Sequence, residues 1–141
     1  MSQENVEIVR RIHGLWASDG LGAAAELLDP GIEWVNPDDA VEPGIRRGLA
    51  SVVDAADSVN LSFDHVELEI EDFVDAGDHV VVIVTMHARG RGSGATVNRR
   101  QGYVWTIANG QAVRFSWFND PTVALEAVGL SEEDAPSRER A

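Results

Sequence analysis

Residues 79–88 read HVVVIVTMHA, a run in which odd and even positions alike are apolar from Val80 to Val84. A strand shows one face at odd positions and the other at even ones. The run therefore predicts a central strand covered on both sides. Upstream, in 63–74, Val66, Leu68 and Ile70 alternate with Glu67, Glu69 and Glu71. That is a half-buried strand with one wet face, and Asp75-Ala76-Gly77-Asp78 is the turn joining it to the first. Downstream, Gly90-Arg91-Gly92-Ser93-Gly94 makes a Gly-rich hairpin into a strand over 96–108, with Tyr103, Trp105 and Ile107 on one face. Asn109-Gly110 is a strong tight-turn signal. It leads to a strand over 112–119 with Val113, Phe115 and Trp117 on one face. These four strands read as an antiparallel meander. Something must cover its outer face as well as its inner one, and a second copy of the chain is the simplest candidate.

The N-terminal half has a different period. Val6, Val9, Ile12 and Trp16 recur at helical spacing, widened by Ile8 and Leu15, and predict an amphipathic helix over 4–18. Ser2 and Asn5 are cap candidates, and Gly20 ends the run. A short second helix covers 21–28. Residues 32–36 alternate as a short strand stopped by Pro37, and 37–47, PDDAVEPGIRR, reads as a loop. Leu49, Val52, Val53 and Ala56 mark a helix over 48–59, and a last short helix covers 121–128. Helices segregated from an antiparallel sheet define an α+β fold. A strongly twisted sheet of this kind curls around its helices and leaves a cavity. Residues 1–130 form one domain, and the acidic tail 131–141 is expected to be disordered.

Composition narrows the function classes. The 141 residues carry 24 acidic and 11 basic side chains, a net charge of −13, and every basic one is arginine. Such a surface repels phosphate backbones and anionic lipid, so neither nucleic acid nor membrane is an expected partner. No apolar run approaches a membrane span and no signal-peptide core opens the chain, which points to the cytoplasm. With no cysteine, disulfides and thiolate sites are excluded. His13, His65, His79 and His87 form no i,i+4 pair, so no metal and no cofactor are expected. The glycines at 90–94 sit in a hairpin and not before a helix, unlike a phosphate loop.

Taken together, VRRIHGLWASDG (9–20), LLDPGIEWVNP (27–37), the helix led by Gly48 and the paired strands Gly102–Trp117 resemble the nuclear-transport-factor-2-like superfamily, and within it the SnoaL-like proteins. The resemblance covers about residues 3–130. It implies a cone-shaped, cystatin-like roll: a curved antiparallel sheet wrapped around N-terminal helices, an internal pocket, and a homodimer. It implies a small-molecule ligand, with isomerase, cyclase or hydrolase-type acid/base chemistry among the activities such folds carry. By strand register the ligand-binding candidates are Trp34, Asn36, Tyr103, Trp105, Phe115, Trp117 and Asn119, with Trp16 from the first helix.

The catalytic candidates are Tyr103 and Asp120. In ketosteroid isomerases a carboxylate base occupies the position that falls on Asn36, and an amide has no proton-accepting form at neutral pH. The acid position falls near Tyr103, which can donate a hydrogen bond. The first-helix tyrosine has no counterpart among Arg11, Ile12 and His13. Limonene epoxide hydrolases pair a tyrosine with an asparagine two residues on; Trp34-Val35-Asn36 keeps the asparagine. SnoaL-type cyclases use a late aspartate, and Asp120 is the late carboxylate beside the sheet. Asp120-Pro121 also suits a helix N-cap. Asp38 and Asp39 in the 37–47 loop, and Arg46 and Arg47 at its end, stand near the expected pocket mouth. Two functions fit: a small-molecule enzyme or binder, or a non-catalytic dimeric module that works through its outer sheet face.

Overall fold

The computed structural model describes residues 2–131. The expected disorder of the tail lies, beyond Ser131, outside the described residues. Helix α1 (Ser2–Asp19) is followed by a 3-10 helix (Leu21–Leu27), strand β1 (Leu28–Asn36), strand β2 (Gly44–Arg47) and helix α2 (Leu49–Ser62). Strands β3 (Phe63–Ala76), β4 (His79–Gly90), β5 (Thr96–Ala108) and β6 (Gln111–Phe118) then run in a meander, and α3 (Pro121–Ala127) follows. One curved, unclosed sheet holds all six strands in the order β2-β1-β6-β5-β4-β3. Among the described residues no helix is long and apolar enough to cross a membrane.

The α+β architecture is as expected, with three corrections. The second helix is a 3-10 helix that ends at Leu27, and β1 starts at Leu28 rather than at residue 32. The sheet is not wholly antiparallel, because β1 pairs in parallel with β6. Trp34 thereby sits beside Phe115, although the two residues are far apart in sequence. The stretch 37–47 is also not all loop. Its end, β2, pairs antiparallel with β1 through Glu33 and Arg47, whose side chains join at 2.8 Å. The two prolines and Gly44 mark the hairpin connection rather than a wholly irregular segment.

The concave face carries the main core. Val6, Val9 and Ile12 of α1 pack with Ile32, Val52, Val80, Val82, Val84 and Trp105. Asn5, a cap candidate by sequence, instead donates from Nδ2 to the carbonyl of Gly77 at 3.0 Å and ties α1 to the β3–β4 turn. Two bulges decide which side chains join this core. Between Ile70 and Asp72 the β3 register shifts by a residue, so Phe73 and not Asp72 reaches it. A second shift between β5 and β6 brings Ala112 opposite Ile107, and Ala112, not Val113, is buried there.

β4 is central and covered twice, as its sequence demands. The cover on the outer face is the chain's own α3: Val81, Ile83, Val74 and Val104 pack with Ala124 and Leu125. A partner chain is not required for that role. Contact is close enough that a Cβ at Gly102 would lie 2.5 Å from the Ala124 Cβ. The rest of the outer face is polar. Glu69 and Asn98 bracket His87, and Glu71 takes hydrogen bonds from Thr85 and Arg100.

Candidate functional site

Between α1, α2 and the concave sheet lies a cavity of about 810 Å³, within the range of small-molecule sites. Alternation places its walls. Trp34 and Asn36 project from β1, Gln101 and Tyr103 from β5, and Phe115 and Trp117 from β6. Register sets them side by side, with Trp34 paired to Phe115 and Tyr103 to Trp117. The Phe115 ring lies 4.5 Å from Trp34, 4.6 Å from Trp105 and 5.0 Å from Tyr103, centroid to centroid. Trp16 reaches in from α1 against Trp34 and Phe115. Met86 of β4 lines the cavity, while its neighbour His87 faces outward.

Asn36 holds two of these walls. Its Oδ1 accepts from the Trp34 indole at 2.8 Å and from the Trp117 indole at 2.7 Å. Its Nδ2 donates to the carbonyl of Glu42 at 2.9 Å, which pins the connection between β1 and β2. Indole N–H groups only donate, so the amide cannot be turned over without opposing donor to donor. The Asn36 oxygen is thus taken up by protein groups.

At the floor, His13 is buried and is sandwiched between Trp16 (5.4 Å) and Tyr103 (6.0 Å), with Phe73 and Trp105 edge-on. Burial holds its pKa down to about 4, so it is neutral near pH 7. The Trp105 indole donates to its Nε2 at 3.0 Å. A neutral imidazole that accepts at Nε2 carries its proton on Nδ1. His13 is not among the site residues that the sequence singles out. Its signal, a helix-period position shared with Val6, Val9 and Trp16, looks the same as that of any half-buried neighbour. Tyr103, also at the floor, donates to Gln101 Oε1 at 3.3 Å, and burial raises its pKa further.

Charge is confined to the mouth, where Glu42, Arg46, Asp57, Glu67 and Arg99 stand in partly or fully exposed positions. Asp38 and Asp39 are exposed in the connection and do not line the cavity. Of the remaining sequence candidates, Trp105 lies behind His13 in the core. Asn119 lies past the end of β6 and outside the lining; its Oδ1 is buried and has no hydrogen-bond partner among the described residues. Asp120 is the N-cap of α3, accepting from the Thr122 N–H at 2.8 Å, with Pro121 at the first helical position. It too lies outside the lining. Among the described residues no group of three or more His, Asp or Glu side chains is arranged to hold a metal ion.

A curved sheet folded over N-terminal helices around an aromatic interior defines a protein of the nuclear-transport-factor-2-like class. The SnoaL-like domain model matches residues 9–115, well over half of the chain, and the chain belongs to that family. Solved structures agree in fold. A proposed SnoaL-like polyketide cyclase from Jannaschia sp. CCS1 superposes with a TM-score of 0.72 at 24% identity, over 82% of this chain and 85% of that one. TerC, co-crystallised with polyporic acid, gives a TM-score of 0.72 at 23% identity, over 89% and 97%. An NTF2-like protein of unknown function from Burkholderia pseudomallei gives 0.72 at 22% identity, over 89% and 98%. At such identities the likeness concerns the fold alone. No curated protein matches the chain.

Proposed function

We propose that the protein holds a small, moderately apolar molecule in the aromatic cavity, with Trp16, Trp34, Tyr103, Phe115 and Trp117 as contact surfaces. The observation that carries this reading is the cavity of about 810 Å³, walled by aromatic rings and charged only at its mouth. Burying aromatic surface of a ligand against such walls is favourable by about 25 cal/mol per Å² removed from water, before the cost of association is subtracted. Trp34 and Trp117 are fixed by Asn36, and a wall that is already ordered loses little entropy when a ligand arrives.

The polar groups on the inner surface are His13, Asn36, Gln101 and Tyr103, and the carboxylates among the lining residues stand at the rim. That census favours holding a ligand over abstracting a proton from it, because a general base needs a group that accepts a proton near neutral pH. Tyr103 remains the residue through which acid chemistry of the isomerase or cyclase kind would run. Asp120 is left to its capping role in this reading. A homodimer rests on the family resemblance, since α3 answers the sequence argument for a covering partner.

Calorimetric titration with a panel of uncharged bicyclic and tricyclic aromatic compounds tests the reading. Saturable binding to the wild type, lost in Met86→Trp, which fills the cavity from a half-buried position on β4, is the expected result. Binding that survives Met86→Trp unchanged would move the site elsewhere on the molecule.

A further inference from the structure

We propose that His13 is the specificity-determining residue of the cavity: its Nδ1–H, fixed in place by Trp105, donates to a carbonyl-type oxygen of an uncharged aromatic ligand. The inference rests on the ligand-holding reading above and adds the chemistry of what is held.

Trp105 has only an N–H to offer, and His13 Nε2 takes it at 3.0 Å. The ring's one lone pair is therefore spent, and the ring's remaining polar function is a donor. Among the described residues His13 has no other hydrogen-bond partner, and it lines the cavity. A ligand group that donates, such as an amine or ammonium, meets no acceptor on this ring. A group that accepts meets an N–H already oriented by stacking between Trp16 and Tyr103. Asn36 points the same way, since its oxygen is filled by two indoles while one Nδ2 hydrogen remains after the bond to Glu42.

The surroundings favour a neutral oxygen over a carboxylate. The rings against His13 are Trp16, Phe73, Tyr103 and Trp105, of which Tyr103 alone titrates, and burial keeps it protonated. An anion there would lose its hydration with no cation directly against His13: Arg10 lies over the Phe73 ring and outside the cavity lining, and Arg46 and Arg99 are the lining cations. The nearest arginine on the same face of β5 is Arg99, four residues from Tyr103, or roughly 13 Å along an extended strand. It stands exposed at the mouth.

The test uses a matched pair, 9-fluorenone and fluorene, which share a tricyclic body and differ by a carbonyl oxygen in place of a methylene. Calorimetric titration of the wild type is expected to show fluorenone binding about tenfold tighter, the effect of one buried hydrogen bond. The preference should fall toward one in His13→Leu and persist in His13→Gln, which keeps a donor. It should also stay constant from pH 5.5 to about 8 in the wild type, whereas a histidine of ordinary pKa would change charge near 6.5. Long-range ¹H–¹⁵N correlation of the wild-type imidazole, which needs no variant to fold, should find the proton on Nδ1. Equal affinity for the two compounds, a preference that survives His13→Leu, or a proton on Nε2 would each overturn the assignment. If neither compound bound the wild type while other uncharged aromatics bound, the carbonyl assignment would fail alone. If nothing in the panel bound, the cavity reading would fail and this inference with it.

Discussion

A single amide, that of Asn36, fixes two tryptophans and a chain connection. Replacing it with leucine leaves two indole N–H groups without their acceptor. The expected loss is about 1–3 kcal/mol, read as a lower urea midpoint, with changed tryptophan emission because Trp34 and Trp117 are both released. Alternation in the sequence brought Trp34 and Asn36 to one face and Trp117 to another strand's inner face. It could not bring them together, because their meeting depends on the parallel β1–β6 pairing across 81 residues.

His13 makes a second residue-scale prediction, from its proton. Its pKa is about 4 when folded and 6.5 when not. Between these values the unfolded chain binds a proton that the folded chain refuses, so stability rises with pH across that window. The contribution is fully present above about pH 6.5 and is lost as the pH falls toward 4. On going from pH 7 to 4 the wild type should lose about 3 kcal/mol more than His13→Gln in urea melts. His87 has the opposite sign: hydrogen bonds from its ring to Glu69, then Asn98, raise its pKa. Its contribution is present at low pH and fades as the pH climbs through the raised value.

At the scale of elements, α3 and β5 come so close that Gly102 leaves no room for a methyl. Gly102→Ala should cost about 1–3 kcal/mol by overpacking, visible as a shifted denaturant midpoint with an unchanged slope. Asp120→Ala should cost about 1 kcal/mol through the lost cap and leave ligand affinity at its wild-type value. A loss of binding or turnover out of proportion to stability would return Asp120 to the site. Helices α1 and α2 and the long strands were legible because each held its period for many residues, whereas the short second helix has no such period, is 3-10 and gives way to β1 at Leu28. The short helix at the end was legible too, through Asp120-Pro121. The bulges at Glu71 and Val113 were not, because a one-residue insertion in a pairing depends on the partner strand and carries no local signature. Strand β2 was hidden for a related reason. It is four residues long and flanked by turn formers, and β1 alone gives it order.

For the whole molecule, the sheet has two faces with different tasks. The concave face carries the core and the aromatic cavity; the outer face is divided between α3 and a polar ladder. The double apolar coverage of residues 79–88 was legible, and the identity of the outer cover was not. A helix of seven residues with three buried positions gives too little pattern to declare which surface it will meet. The net charge of −13 concerns the exterior. It sets what the protein repels, and the aromatic interior decides what it admits.

The chain's four tryptophans all lie in or against the cavity, so their indole N–H signals report on it directly. A ¹H–¹⁵N correlation spectrum recorded while 9-fluorenone is added, followed by fluorene, is the most direct measurement. The indole signals of Trp16, Trp34 and Trp117 should move and saturate together, with that of Trp105 moving strongly for fluorenone through His13. Indole signals that stay still while backbone amides of the outer face shift would contradict the claim that this fold holds its ligand inside.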